Sequence, residues 1–98
     1  MAAMGDPDAV ADGSPFAPPV KRSVTIAGHQ TAISLEPIFW DALRMEARSA
    51  GLPLNALIAR IDMQRLAVPE PPGLAGAVRC WLFARRVRGC DNDKNYSQ

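Results

Sequence analysis

Ala32-Ile33-Ser34-Leu35-Glu36-Pro37-Ile38-Phe39-Trp40-Asp41-Ala42-Leu43 changes its hydrophobic period at the proline. Before it, Ile33 and Leu35 alternate with Ala32, Ser34 and Glu36, the period of two that marks a half-buried strand. After it, Phe39, Trp40, Leu43, Ala47 and Ala50 recur at three- and four-residue steps, with Asp41, Arg44 and Arg48 on the opposite side, as in an amphipathic helix. Pro37 suits the first turn of that helix, where its missing N–H has no partner to lose, and Gly51 supplies the stop.

Upstream, Val24 and Ile26 alternate with Thr25, and Ala27-Gly28-His29-Gln30 break the run. The segment reads as one broken strand or as a hairpin turning at Gly28. Downstream, after Gly51-Leu52-Pro53, the residues Leu54, Leu57, Ile58 and Ile61 mark one face of a second helix reaching about Leu66, with Arg60, Asp62, Gln64 and Arg65 away from it. The prolines at 69, 71 and 72 cannot continue a helix and define a stiff linker over 67–73. Leu74, Val78, Trp81 and Leu82 open a third amphipathic helix over 74–88. Residues 1–20, rich in Ala, Asp, Gly and Pro, show no periodicity and read as a disordered tail, and 89–98 as a flexible end, so one domain spans 21–88.

Ninety-eight residues allow one compact domain, mainly α with a short β-ribbon. The formal charge of +1 conceals a gradient. Residues 1–36 set Asp6, Asp8, Asp12 and Glu36 against Lys21 and Arg22, whereas 69–98 set Arg79, Arg85, Arg86, Arg88 and Lys94 against Glu70, Asp91 and Asp93. Any positive field is local. No apolar run approaches the ~18 residues of a membrane span, and the N-terminus has no signal-peptide pattern, so a cytoplasmic protein is expected. Cys80 and Cys90 form neither a disulfide framework nor a metal set and read as free thiols.

Enzymatic constellations are not assembled by the sequence. Ser23, Ser34 and Ser49 have no base other than His29, and neither a glycine-rich phosphate loop nor a carboxylate pair occurs. His29, alone in a turn, reads as structural or solvated, and neither metal nor cofactor is expected. Trp40 and Trp81 lie on apolar helix faces and read as core. The arginines at 79, 85, 86 and 88 read equally well as a phosphate patch or as a solvated helix end.

A ribbon of some six residues ahead of two helices cannot satisfy its own backbone groups. A second copy of the chain is the simplest partner, pairing antiparallel about a two-fold axis. Such a homodimer would share a core of Ile33, Leu35, Trp40, Leu43, Leu57, Ile58 and Ile61.

The run from Ala32 to Leu43, followed by Gly51-Leu52-Pro53-Leu54-Asn55-Ala56-Leu57-Ile58, resembles the ribbon-helix-helix family of DNA-binding proteins over about residues 21–66. Lys21-Arg22-Ser23-Val24-Thr25-Ile26-Ala27-Gly28-His29 ahead of it and the helix behind are similar to a bacterial branch with extra elements at both ends. The resemblance implies an intertwined homodimer at the nucleoid that lays its ribbon in the major groove of double-stranded DNA. It further implies base contacts from Gln30, Ala32 and Ser34, and phosphate contacts from Lys21, Arg22 and the start of the second helix at Leu54 and Asn55. The alternative reading keeps the dimeric scaffold as a protein-interaction or antitoxin-like module.

Overall fold

The computed structural model describes residues 15–91, and of 89–91 the backbone alone. Most of the expected tail, Cys90 and the C-terminal end with Lys94 lie outside the described residues or side chains. The chain runs β1 (Val20–Ile26), β2 (His29–Leu35), α1 (Pro37–Ala50), α2 (Leu54–Leu66) and α3 (Leu74–Asp91).

The two readings left open for the ribbon resolve as a hairpin. β1 and β2 pair antiparallel from Val20 opposite Leu35 to Ile26 opposite His29. Ala27 and Gly28 join them with φ values of 52° and 82°. Two central residues in the left-handed region make a type I′ turn, whose twist matches that of the flanking strands. Gly28 adopts this without a Cβ penalty, whereas Ala27 carries one. β2 therefore finds its first partner in its own chain rather than in the second copy that was the simplest partner for a single ribbon. β1 begins at Val20, the last residue of the stretch read as a tail.

α1 begins and ends where the punctuation placed it. Pro37 occupies the first turn, and the chain leaves through a Schellman turn at Gly51, φ 70°. In that turn the Gly51 amide donates to the Arg48 carbonyl at 3.1 Å and the Leu52 amide to the Ala47 carbonyl at 2.9 Å. α2 starts from Pro53, which provides no side-chain cap. The connection to α3 is fastened by Arg65, whose Nη1 donates to the Pro72 carbonyl at 3.0 Å while Nε and Nη2 grip Asp62 Oδ1 at 2.9 and 2.7 Å.

One core lies under the hairpin. Val24, Ile26, Ile33 and Leu35 meet Trp40, Leu43 and Ala47 of α1, Leu57, Ile58 and Ile61 of α2, and Ala77, Val78 and Leu82 of α3. All seven residues that the sequence reading shared between two copies are at most 3% exposed within a single chain. β1 and α3 cover them within the chain: α2 lies against β1, and α3 packs on α2, α1 and the β2 side. Trp40 is sealed as expected, but Trp81 is only half-buried and Ala50 is exposed at the last turn of α1.

Candidate nucleic-acid interface

A two-residue loop fixes which side chains share a face. Even positions of β1 and odd positions of β2 point inward together, since Val24 stands opposite Thr31 and Arg22 opposite Ile33. The outward row is therefore Lys21, Ser23 and Thr25 on β1 facing Ser34, Ala32 and Gln30 on β2. All six are exposed. Directly opposed Cβ atoms in such a pair stand about 4.5–5.5 Å apart, so the six side chains form one continuous surface, polar except for the Ala32 methyl.

Gln30, Ala32 and Ser34, the expected base contacts, thus lie on one face with Lys21. Arg22 does not join them. Its parity turns it to the inner row, where its guanidinium sits 5.6 Å from the centre of the Trp40 ring at the edge of the core. Ser23, which sequence reasoning passed over, and Thr25 complete the outward row; their signal was the alternation with Val24 and Ile26.

The edges of the hairpin differ. The Thr25 amide donates to Asn55 Oδ1 across 3.4 Å, which ties β1 to the start of α2. An amide used in this way points away from β2, and hydrogen-bonded and non-bonded pairs alternate along an antiparallel ladder. Gln30, Ala32 and Ser34, opposite Thr25, Ser23 and Lys21, accordingly direct their own N–H and C=O groups to the outer edge of β2. That edge has no strand partner among the described residues.

Asn55 brings the second expected contact set to the same end of the molecule. The first helical amides of α2, those of Leu54 and Asn55, precede the intrahelical ladder, which begins with Ala56 and Leu57 donating to the Pro53 carbonyl at 3.0 and 3.1 Å. They form the positive end of the helix dipole. With its oxygen engaged by Thr25, the Asn55 side chain retains its NH2 group as a donor.

The arginines of α3 do not make one patch. Arg79 is committed to Glu36, with Nε and Nη2 donating to Oε1 at 3.1 and 2.9 Å, and lies 5.6 Å from the Phe39 ring centre. The Glu36 carboxyl is held below its usual value, first by its own backbone amide and then by Arg79. Arg85 bonds Glu46 at 2.9 Å, Arg86 borders a groove between α1 and α3, and Arg88 faces a cleft on the α2 side. His29 is exposed at the turn, and no group of three or more potential metal ligands occurs among the described residues.

The family model for the ribbon-helix-helix domain matches residues 19–85, so the chain belongs to that family. Ribbon-helix-helix domains are in general regulatory rather than enzymatic, found in DNA-binding transcription regulators and antitoxins. No curated protein and no solved structure matches the chain. Among the described residues no helix is long and apolar enough to cross a membrane.

Proposed function

We propose that this protein is a sequence-specific double-stranded DNA-binding regulator, working as a homodimer at the bacterial nucleoid in the cytoplasm. The observation that carries the reading is the outward row of the hairpin: six exposed side chains, none of them large and apolar, mounted on strands whose inner row is anchored in the core.

The free edge of β2 favours pairing with the same edge of a second copy. Two-fold pairing there gives a sheet in the order β1, β2, partner β2, partner β1. Strands lie about 4.8 Å apart, so each β2 stands about 2.4 Å from the axis and each β1 about 7 Å. A major groove about 12 Å wide accepts the central pair and leaves the outer strands over its walls. In this arrangement Gln30, Ala32 and Ser34 meet base edges, and Lys21, Ser23 and Thr25 meet phosphates. Gln30 offers the paired donor and acceptor that suit adenine, and Ser34 contacts several bases. The amides of Leu54 and Asn55, beside Thr25, supply a further phosphate seat. Arg22, turned toward Trp40, contributes through the position it gives β1.

Fluorescence anisotropy of duplex DNA, random and genomic-upstream, tests this at low and physiological salt. Log affinity should fall by about 0.9 per phosphate contact per decade of salt, and Lys21→Ala should flatten the slope without changing the preferred sequence. Gln30→Ala should relax sequence preference. A dimer indifferent to DNA at low salt would end the reading.

A protein-interaction or antitoxin-like role has one observation in its favour. Ile38, Phe39, Met45, Leu82 and Phe83 line a groove of about 250 Å³ between α1 and α3. Phe83 and Met45 there are 68% and 62% exposed. Phe83→Glu would abolish a stoichiometric protein complex under this second reading and leave DNA binding untouched.

A further inference from the structure

A second concave surface lies toward the other end of α2. Asn55, bonded to β1, marks the ribbon end of that helix. Arg60 and Arg65 follow about 8 and 15 Å farther along its axis. They form one wall of a cleft of about 500 Å³ whose opposite wall is α3, with Cys80, Trp81, Arg85 and Arg88. This volume falls within the range of about 300–1,000 Å³ occupied by small-molecule sites.

Among the described residues, four arginines and no carboxylate line the cleft. Two of them already have partners. Arg65 is fastened to Asp62 and to the Pro72 carbonyl, and Arg85 is fastened to Glu46 while lying 5.0 Å from the Trp81 ring centre. Arg60 and Arg88, one on each wall, have neither an acceptor nor an ion-pair partner among the described residues. Uncompensated guanidiniums facing a common space call for an anion, and their planar fork matches phosphate oxygens two at a time. The half-buried Trp81 adds an apolar surface for the organic part of a ligand.

We propose that this cleft binds a small phosphorylated ligand, its phosphate held between Arg60 and Arg88. The cleft shares no residue with the outward face of the ribbon. A ligand bridging α2 and α3 stabilises their contact, and stabilisation of a helix whose first turn holds Thr25 couples the cleft to the ribbon.

Calorimetric titration of the full chain with inorganic pyrophosphate and with ATP, at constant ionic strength, provides the test. Saturable one-to-one binding of either probe is expected. Arg60→Gln and Arg88→Gln should each weaken it about tenfold, as for loss of a hydrogen bond to a charged group. Arg48→Gln, exposed on α1 and outside the cleft, should leave it unchanged. Bound probe should also slow alkylation of Cys80, which is exposed and lines the same space. The proposal fails if neither probe binds at millimolar concentration, or if the Arg60→Gln, Arg88→Gln double variant binds as well as the parent. It fails equally if duplex DNA alone depends on these arginines, because the cleft would then be part of a nucleic-acid surface.

Discussion

The indole Nε1 of Trp40 donates to the Val20 carbonyl at 2.9 Å, so the first turn of α1 holds the first residue of β1. Trp40 is 1% exposed, and the bond links residues twenty positions apart. Trp40→Phe removes the donor and leaves a void beside the strand. A loss of about 1–3 kcal/mol is expected in urea unfolding. Amide exchange in β1 should quicken more than in α2. Unchanged stability would show that the indole is not what anchors the strand.

The turn offers a gain. Ala27 sits at φ 52°, a conformation that asparagine or glycine adopts at lower cost. Ala27→Asn should raise stability by about 0.5–1 kcal/mol, and Gly28→Val should lower it by at least that much. Paired thermal melts decide the matter, and the opposite order of the two variants would refute the type I′ assignment.

Glu36 sets a pH dependence. Its carboxyl is held below the ordinary value by its own amide and by Arg79, so the folded state favours the ionised form. The resulting stability is complete above the unfolded-state pKa and disappears as pH falls through the lowered folded value. Glu36→Gln should therefore differ most from the parent at neutral pH and converge with it in acid. A difference that grew on acidification would invert the sign and reject the argument.

Val78 on α3 is fully buried with Leu35 and Ile58. Val78→Ala should cost about 1.5–3 kcal/mol, against a negligible effect for Met63→Ala, which is 73% exposed. Circular dichroism and tryptophan emission should still report one coincident transition. Separate transitions would show that α3 is a satellite rather than a part of the domain.

Much of this architecture was legible in local sequence. Pro37, Gly51 and the prolines at 69, 71 and 72 act on their own backbone, so they announce helix limits without reference to anything distant. What remained hidden depends on pairing. The inward turn of Arg22 follows from the parity that a two-residue loop imposes between strands, and Ala27 is not a residue that advertises a left-handed φ. The Glu36–Arg79 bridge spans forty-three positions and exists only because α3 crosses the start of α1. Gln30, Ala32 and Ser34 could be placed on one face from alternation alone, whereas the neighbours that complete that face, Ser23 and Thr25, required the register.

A ribbon closed inside one chain also changes the order of events during synthesis. Hairpins form in about 1–10 μs, while the ribosome adds about 5–20 residues per second. The forty-three residues between Glu36 and Arg79 therefore take about 2–9 s to make, during which β1 and β2 can be joined long before α3 exists. The nascent protein need not wait for a sister chain to shield the inner edge of β2.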